Sequence, residues 1–395
     1  MKSNQNNNSD MEGNSPDSEK PPSRLPHPSR PWRVAVIANL KGESALPNEG
    51  PEDAGAEFDK RETIQSIQDA IETDGHSTVF LPANASLPEA LAELCPDICF
   101  NIAEGLGGDA REAQVPALLE LMHIPYTGSR ITANAIGLDK TLTKRVWQQV
   151  GLPTGGFQEF ASMDEALDAK LVFPLFVKPA REGTGMGMGA ESIVRDEDEL
   201  RRRVDWVLQK YRQPALVEEY LTGREFTVAV LGRKAAFPYS RLPHRYDRDG
   251  FFRMPVLEVD SQVSPTPGVY GHLAKTLHPG DDGYPNFLCP APIEPQLARQ
   301  LQDLAIQAHR AIGALDVSRV DLRMGADQQP KLLEINTLPG LTPGFSDLCV
   351  ISEAADISYE ALILEILYLG ASRYGLVEPA GSDPIAIPLA RFSRK

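Results

Sequence analysis

A lysine, an arginine and a glutamate stand directly before alternating glycines in VKPAREGTGMGMG, residues 177–189. Glycine lets a backbone adopt left-handed conformations and approach a ligand closely, at an entropic cost on folding. Placed beside Lys178, Glu182 and Gly183, such a stretch reads as a loop over phosphates, with backbone N–H groups closing on an anion that the lysine neutralises. A flexible surface hairpin is the plain alternative. Among phosphate-loop patterns, GxxxxGK[ST] does not occur. Gly185, Gly187 and Ala190 fit a dinucleotide pattern, but those glycines belong between the first strand and helix of a βαβ unit. Here they lie deep in the chain and run into ESIV, which has strand character. The reading that fits is a strand with Lys178, a glycine turn and a return strand in GAESIVRD. Lys140, in GLDKTLTK, opens a helix upstream, and two lysines facing one cleft suit a triphosphate.

A second group of reactive residues lies far along the chain, in SRVDLRM and LLEINTLPG. Strand alternation puts Arg319 and Asp321 on one face with Val320 opposite. It likewise puts Glu334 and Asn336 on one face and sends Leu333 and Ile335 into the core. Carboxylate and amide oxygens are hard ligands of the kind Mg²⁺ takes alongside substrate phosphates. A half-exposed sheet face laced with ion pairs would look similar. Arg319 would be free for an anion that develops during reaction, and LPGLTPG supplies backbone donors nearby. PALVEEYLTGREF offers an edge for a base, with backbone atoms around Glu219, Tyr220 and Leu221 and with Glu218 or Glu225 for ribose hydroxyls.

The elements that must position these groups follow from pattern. Residues 1–30 are Asn, Ser, Pro and Asp with few apolar residues and are expected to be disordered. WRVAVIANL reads as a buried parallel strand. An amphipathic helix with Ile64, Ile67 and Ile71 follows, stopped by Gly75, then a strand at 78–81, a helix near 87–94 and the strand DICFNIA. Strand–helix alternation implies a parallel α/β unit over 31–129. Residues 130–222 read as a small α+β unit opened by a helix ending at Gly151. Residues 223–376 read as long antiparallel strands with a helix at 296–312 and a last amphipathic helix in SYEALILEILYLGASRYG. The tail 377–395 reads as loose.

The formal net charge of −16 over 395 residues argues against nucleic-acid or anionic-membrane partners. Four cysteines without a CxxC pair make zinc binding unexpected and a reducing compartment the expectation. No apolar run is long enough to cross a bilayer, and the N-terminus lacks the apolar stretch of a signal peptide, so a cytoplasmic protein is expected.

Taken in order, Lys140, VKPAREGTGMGMG, LVEEYLTGREFTV, SRVDLRM and LLEINTLPGLT resemble the D-alanine–D-alanine ligase family of the ATP-grasp superfamily, from about Asp97 to Tyr374. The resemblance implies an α/β protein of three domains, with ATP gripped between the second and third. It implies an ADP-forming ligase that joins a carboxylate to an amine through an acyl phosphate. It carries Lys140 and Lys178 over as phosphate lysines, Glu219, Tyr220 and Leu221 as the adenine hinge, and Glu225 as the ribose ligand. Asp321, Glu334 and Asn336 become ligands of two Mg²⁺ ions, with Mn²⁺ as a substitute. Arg319 and the Gly340 N–H would stabilise an oxyanion, Lys275 in YGHLAKTL would close over the γ-phosphate, and Thr184 would orient the first substrate. The implied partners are ATP and an amino acid or dipeptide, with a homodimer left open.

The departures all concern substrate. IANLKGESALPNEG has no clear counterpart of the family's ammonium-binding glutamate, and NIAEGLGGDAREAQ lacks the family's histidine. Thr276 replaces a tyrosine after Lys275, and Phe345 stands where a serine is expected, with Ser346 one position late. Glu104, Asp109, Arg111 and Glu112 make the first-substrate segment charged. A non-catalytic ATP-binding protein on the same fold and a dinucleotide-dependent oxidoreductase are the competing readings.

Overall fold

The computed structural model describes residues 25–44, 51–234, 236–260, 262, 264, 266–277 and 280–379. Most of the two expected terminal tails, residues 1–24 and 380–395, lies outside these. Within the described part of the first tail, Arg30 pairs with Asp97 at 2.5 Å.

Among the described residues, three sheets build the molecule. The first is parallel, with β1 (Arg33–Ala38) between β2 (Ser77–Pro82) and β3 (Ile98–Asn101). Strand β1 is buried from Val34 to Ala38, as a strand covered on both faces must be. Helix Arg61–Glu72 buries Ile64, Ile67 and Ile71 against it, and Gly75 then turns the chain at φ +83°. The second sheet runs β4 (Phe157–Phe160), β7 (Ala215–Glu219), β5 (Leu175–Pro179), β6 (Ile193–Val194), all antiparallel. It packs on helix Glu197–Tyr211 through Val177, Val217, Leu200 and Val204. Asp196 caps that helix by accepting the Glu199 N–H, and three acids in its first turn suit the helix dipole. The third sheet runs β10 (Asn286–Leu288), β9 (Phe251–Asp260), β8 (Glu225–Gly232), β11 (Val317–Met324), β12 (Pro330–Asn336), again antiparallel.

Four details differ from the sequence expectation. The helix expected up to Gly151 is two, Ile131–Leu138 and Lys140–Gln149. Asp139 breaks it by turning extended and capping the second helix through the Leu142 N–H. The return strand after the glycines shrinks to Ile193–Val194, behind a 3₁₀ turn at Ala190–Ser192. The last helix, Tyr359–Ser372, is buried from Leu362 to Ala371 and is not amphipathic. It fills the space between the first and third sheets, where Ile67, Ile366, Leu231 and Met254 share one core. Finally, β11 and β12 slip register after the Asp321–Glu334 pair, so that Leu322 faces Leu332. This bulge turns Leu333 away from the core, which keeps Leu332 and Ile335.

No cysteine among the four is in a disulfide. Among the described residues, no helix is long and apolar enough to cross a membrane.

Candidate active site

The second and third sheets face each other across a cleft lined by Phe176, Lys178, Glu218, Tyr220, Glu225 and Leu333. Strand β7 leads into the loop that carries Tyr220 and Leu221, which also line the cleft. Tyr220 stacks on Phe176 with ring centres 6.0 Å apart, giving one end of the cleft a flat aromatic wall. The Glu219 carboxylate pairs with Lys331 at 2.9 Å, while Glu219 also lines the cleft.

At the centre, Glu218 accepts from two buried lysines. Lys178 on β5 and Lys144 on helix Lys140–Gln149 each approach it at 2.8 Å. Burial alone would push the Glu218 carboxyl up, but the two ammonium groups outweigh it and hold it down to about 2. Lys144 was not foreseen, although it lies four residues after Lys140 on the same helix, the spacing that puts two side chains on one face. Lys140 extends toward Glu334 at 3.6 Å and donates to the Glu182 carbonyl. Lys178 lies 4.0 Å from the same Glu334. The two expected lysines therefore converge, although they are buried and not solvent-facing.

Glu334 stands directly opposite Asp321 in the β11–β12 register, with Asn336 opposite Arg319. Burial raises the Glu334 carboxyl, yet Lys140, Lys178, Lys275 and Arg319 together drive it well below the usual carboxylate range. Asp321 accepts from Thr227 at 2.8 Å and from Arg319 at 3.0 Å. Arg319 also reaches Asp347 at 3.3 Å. Arg319 is therefore not free, contrary to the sequence reading, because a buried guanidinium needs carboxylate partners wherever an anion is absent. Asn336 has its side-chain oxygen oriented by the Leu338 N–H at 2.9 Å.

No cluster of three or more His, Cys, Asp or Glu side chains among the described residues forms a metal cage. Two opposed carboxylates and an amide oxygen nevertheless fit Mg²⁺, which takes few protein ligands and completes its shell with phosphate and water.

Two loops close the cleft. The short helix His272–Thr276 carries Lys275, whose ammonium lies 4.7 Å from the Tyr270 ring centre and acts electrostatically on Glu225, Glu334 and Asp347. The glycine loop meets this segment backbone to backbone. The His272 N–H donates to the Gly185 carbonyl at 3.0 Å, and a Cβ on Gly185 (φ +66°) would lie 2.7 Å from His272 N. Gly187, at φ +69°, is equally confined by Pro179 and Tyr211, and Thr184 takes a left-handed φ of +49°. Part of the glycine density thus answers to loop-on-loop contact. Gly340 is exposed beyond β12, close to Ser346. Glu225, on β8, faces Arg323 at 3.5 Å, and burial raises its carboxyl.

A carboxylate also arrives from the first layer. Glu57 accepts from Arg111 at 2.7 Å and lies 2.7 Å from where a Gly183 Cβ would be. Arg111 additionally reaches Glu182 at 3.3 Å and the Arg181 carbonyl at 2.7 Å. IANLKGESALPNEG, residues 37–50, ends short of Glu57. Only chain folding brings that residue to the glycine loop.

Residues 146–368 match the family model for the D-ala D-ala ligase C-terminus. The chain is 33% identical over 343 residues to a D-alanine–D-alanine ligase of Hydrogenovibrio crunogenus, covering 86% of this chain and 96% of that one. It is also 33% identical over 317 residues to the uncharacterized protein y4sG of Sinorhizobium fredii, covering 78% and 87%. The fold is similar to that of a Bacillus anthracis D-alanine–D-alanine ligase solved with ATP, with a TM-score of 0.64 at 20% identity, covering 87% and 99%. A family model spanning more than half the chain, together with a relative matched over nearly its whole length, shows that the chain belongs to the D-alanine–D-alanine ligase family.

Proposed function

We propose that this ADP-forming ligase activates a carboxylate with ATP and passes it to an amine, and that its first substrate is larger or more charged than D-alanine. One observation carries the reading. Lys140 and Lys178 converge on Glu334, which stands opposite Asp321, while Lys144 joins Lys178 at Glu218, and the neighbouring cleft has an aromatic wall with a backbone edge. That arrangement suits a nucleoside triphosphate laid lengthwise, base at Tyr220–Leu221 and phosphates at Lys140 and Lys178. Both Glu218 oxygens are engaged by lysines, so its role is to hold Lys144 and Lys178 in place. Glu225 is then the carboxylate for ribose hydroxyls.

Asp321, Glu334 and Asn336 would hold two Mg²⁺ ions, or Mn²⁺ in their place, which when bound neutralise the transferring phosphoryl group. The substrate carboxylate attacks the γ-phosphate, giving an acyl phosphate and ADP. The amine then attacks the acyl carbon and phosphate leaves. Arg319, with the Gly340 N–H, would exchange part of its carboxylate pairing for the developing oxyanion. Lys275 and the glycine loop would keep water from the acyl phosphate, and Thr184 would meet the first substrate.

The substrate assignment rests on the first layer. Glu57, Asp109, Arg111, Arg181 and Glu182 line a cavity beside the glycine loop, and Glu104 and Glu112 act electrostatically on one another and on Glu57. So charged a cavity suits a substrate with more than a methyl side chain, and a cytoplasmic setting supplies ATP. Phosphate release from ATP across a panel of D- and L-amino acids and dipeptides, with products read by mass, tests the reading. Lys140→Ala and Lys178→Ala should each weaken nucleotide binding on the order of tenfold or more by calorimetry. Unchanged affinity in both removes these lysines from the site.

A further inference from the structure

The glycine loop is fastened from a direction that phosphate binding does not explain. Asp53, in the segment before helix Arg61–Glu72, accepts the Gly187 N–H at 2.8 Å. The same carboxylate accepts from the Tyr211 hydroxyl, at 2.8 Å to one oxygen and 2.9 Å to the other. Arg203 donates to the Gly187 carbonyl from the other side and reaches Ser192 at 3.1 Å. Both polar backbone atoms of Gly187 are therefore held by side chains. Four residues on from Asp53, Glu57 lies against Gly183, four residues back from Gly187. Segment 53–57 thus runs alongside the glycine loop in the opposite direction, bonded to it at Asp53 and packed against it at Glu57.

A glycine-rich loop loses much conformational entropy when ordered, so any contact that holds it before the ligand arrives lowers the cost of binding. Asp53 does this with its carboxylate oxygens, which accept from the Gly187 N–H and the Tyr211 hydroxyl. Tyr211 is placed to help because it ends helix Glu197–Tyr211, and Trp206 packs edge-on against it at 5.3 Å. Segment 51–58 also lines the charged cavity of the first layer, through Pro51, Ala54, Gly55, Glu57 and Phe58. One strap therefore touches the first-substrate cavity on one side and the phosphate loop on the other.

We propose that Asp53, with Tyr211, is a positioning residue that presets the glycine loop in its phosphate-covering conformation. The role rests on the proposed use of that loop for ATP phosphates. It gives the first layer of the protein a direct hold on the second.

The test compares full-length wild type, Asp53→Ala, Asp53→Glu and Tyr211→Phe for binding of the Mg²⁺ complex of β,γ-imido-ATP and of adenosine. Hydrogen exchange over residues 183–189 is followed in parallel. Asp53→Ala should weaken the triphosphate analogue on the order of tenfold, leave adenosine unchanged and speed exchange in the loop. Tyr211→Phe, which removes one hydroxyl, should do the same to a smaller degree, and Asp53→Glu should recover part of the loss. Equal weakening of both ligands would indicate general destabilisation and overturn the proposal. So would wild-type triphosphate affinity and exchange in both Asp53→Ala and Tyr211→Phe. Failure of the wild type itself to bind the triphosphate analogue would instead defeat the reading of the cleft.

Discussion

Lys144 and Lys178 reach the same Glu218 carboxylate from different elements, each at 2.8 Å, and all three side chains are buried. Glu334 adds a second carboxylate 4.0 Å from Lys178, so the two ammonium groups face two anions. Burial drives the Lys144 ammonium down from its usual value, whereas Glu218 and Glu334 raise Lys178 despite its burial. Lys144 is thus the strained cation of the cluster and Lys178 the well-compensated one.

Glu218→Gln should be costly for stability. It leaves two buried ammonium groups facing a neutral amide, a change of the kind that costs about 3–5 kcal/mol. Because the Glu218 carboxyl is held near 2 in the fold against a usual 4.5, its contribution is complete above about pH 4.5 and is lost as pH falls toward 2. Urea unfolding at pH 7 and at pH 3 checks both points. The variant should unfold at much lower urea at pH 7, and the gap from wild type should narrow at pH 3.

Glu334→Gln should nearly abolish turnover and should also lower stability, for the same reason as Glu218→Gln. Four cations act on this carboxylate, so removing its charge leaves them uncompensated around the site proposed for phosphates and metal. Steady-state turnover within about threefold of wild type, roughly 0.7 kcal/mol of barrier, would remove the metal assignment.

What the sequence made legible was local. Alternation identified the Arg319–Asp321 face because β11 is regular up to Asp321, and it failed at Leu333 because the bulge lies just there. Helical spacing put Lys140 on a helix but missed Asp139, whose side chain ends one helix and starts another. Asp53 and Glu57 were out of reach for a different reason. Their partners, Gly187 and Arg111, are 134 and 54 residues away, and no pattern within a window links them. Asp347, which pairs with Arg319 from the start of a helix, was hidden in the same way.

Glu112 sets a pH dependence of the opposite sign to that of Glu218. Burial pushes its carboxyl up to about 7, with Glu57 adding to the rise while Arg111, Lys140 and Thr337 oppose it. The folded state then binds a proton that the unfolded chain gives up near pH 4.5. The stability it contributes is complete below about pH 4.5 and lost as pH rises through 7. Thermal unfolding of Glu112→Gln between pH 5 and 8 should decline less with pH than that of the wild type. Parallel curves would show that Glu112 is not the group responsible.

The last expectation concerns D-alanine itself. Arg111 spends its guanidinium on Glu57, Glu182 and the Arg181 carbonyl, so the charge nearest the first-substrate cavity is already matched on the Glu57 side. Glu104, which Glu57, Glu112 and Arg111 act on electrostatically, is the group proposed to meet an ammonium. Burial and the repulsion of Glu57 and Glu112 hold its carboxyl well above the usual range, with Arg111 opposing them in part. A carboxyl pushed toward its protonated form makes a weaker partner for an ammonium than a fully ionised carboxylate does. Losing a charge-assisted hydrogen bond costs about 1.5–3 kcal/mol, roughly ten- to a hundredfold in affinity. A substrate with a second cationic or larger polar group could draw the proton off Glu104 and recover that energy, which D-alanine alone does poorly. Initial rates of phosphate release with D-alanine as sole amino acid should therefore saturate only at high millimolar concentration. Glu104→Gln should change that dependence little, while weakening whichever substrate the panel finds to be preferred. Saturation at sub-millimolar D-alanine, with D-alanyl-D-alanine as product, would restore the family's own substrate and leave Glu104 as its ammonium partner.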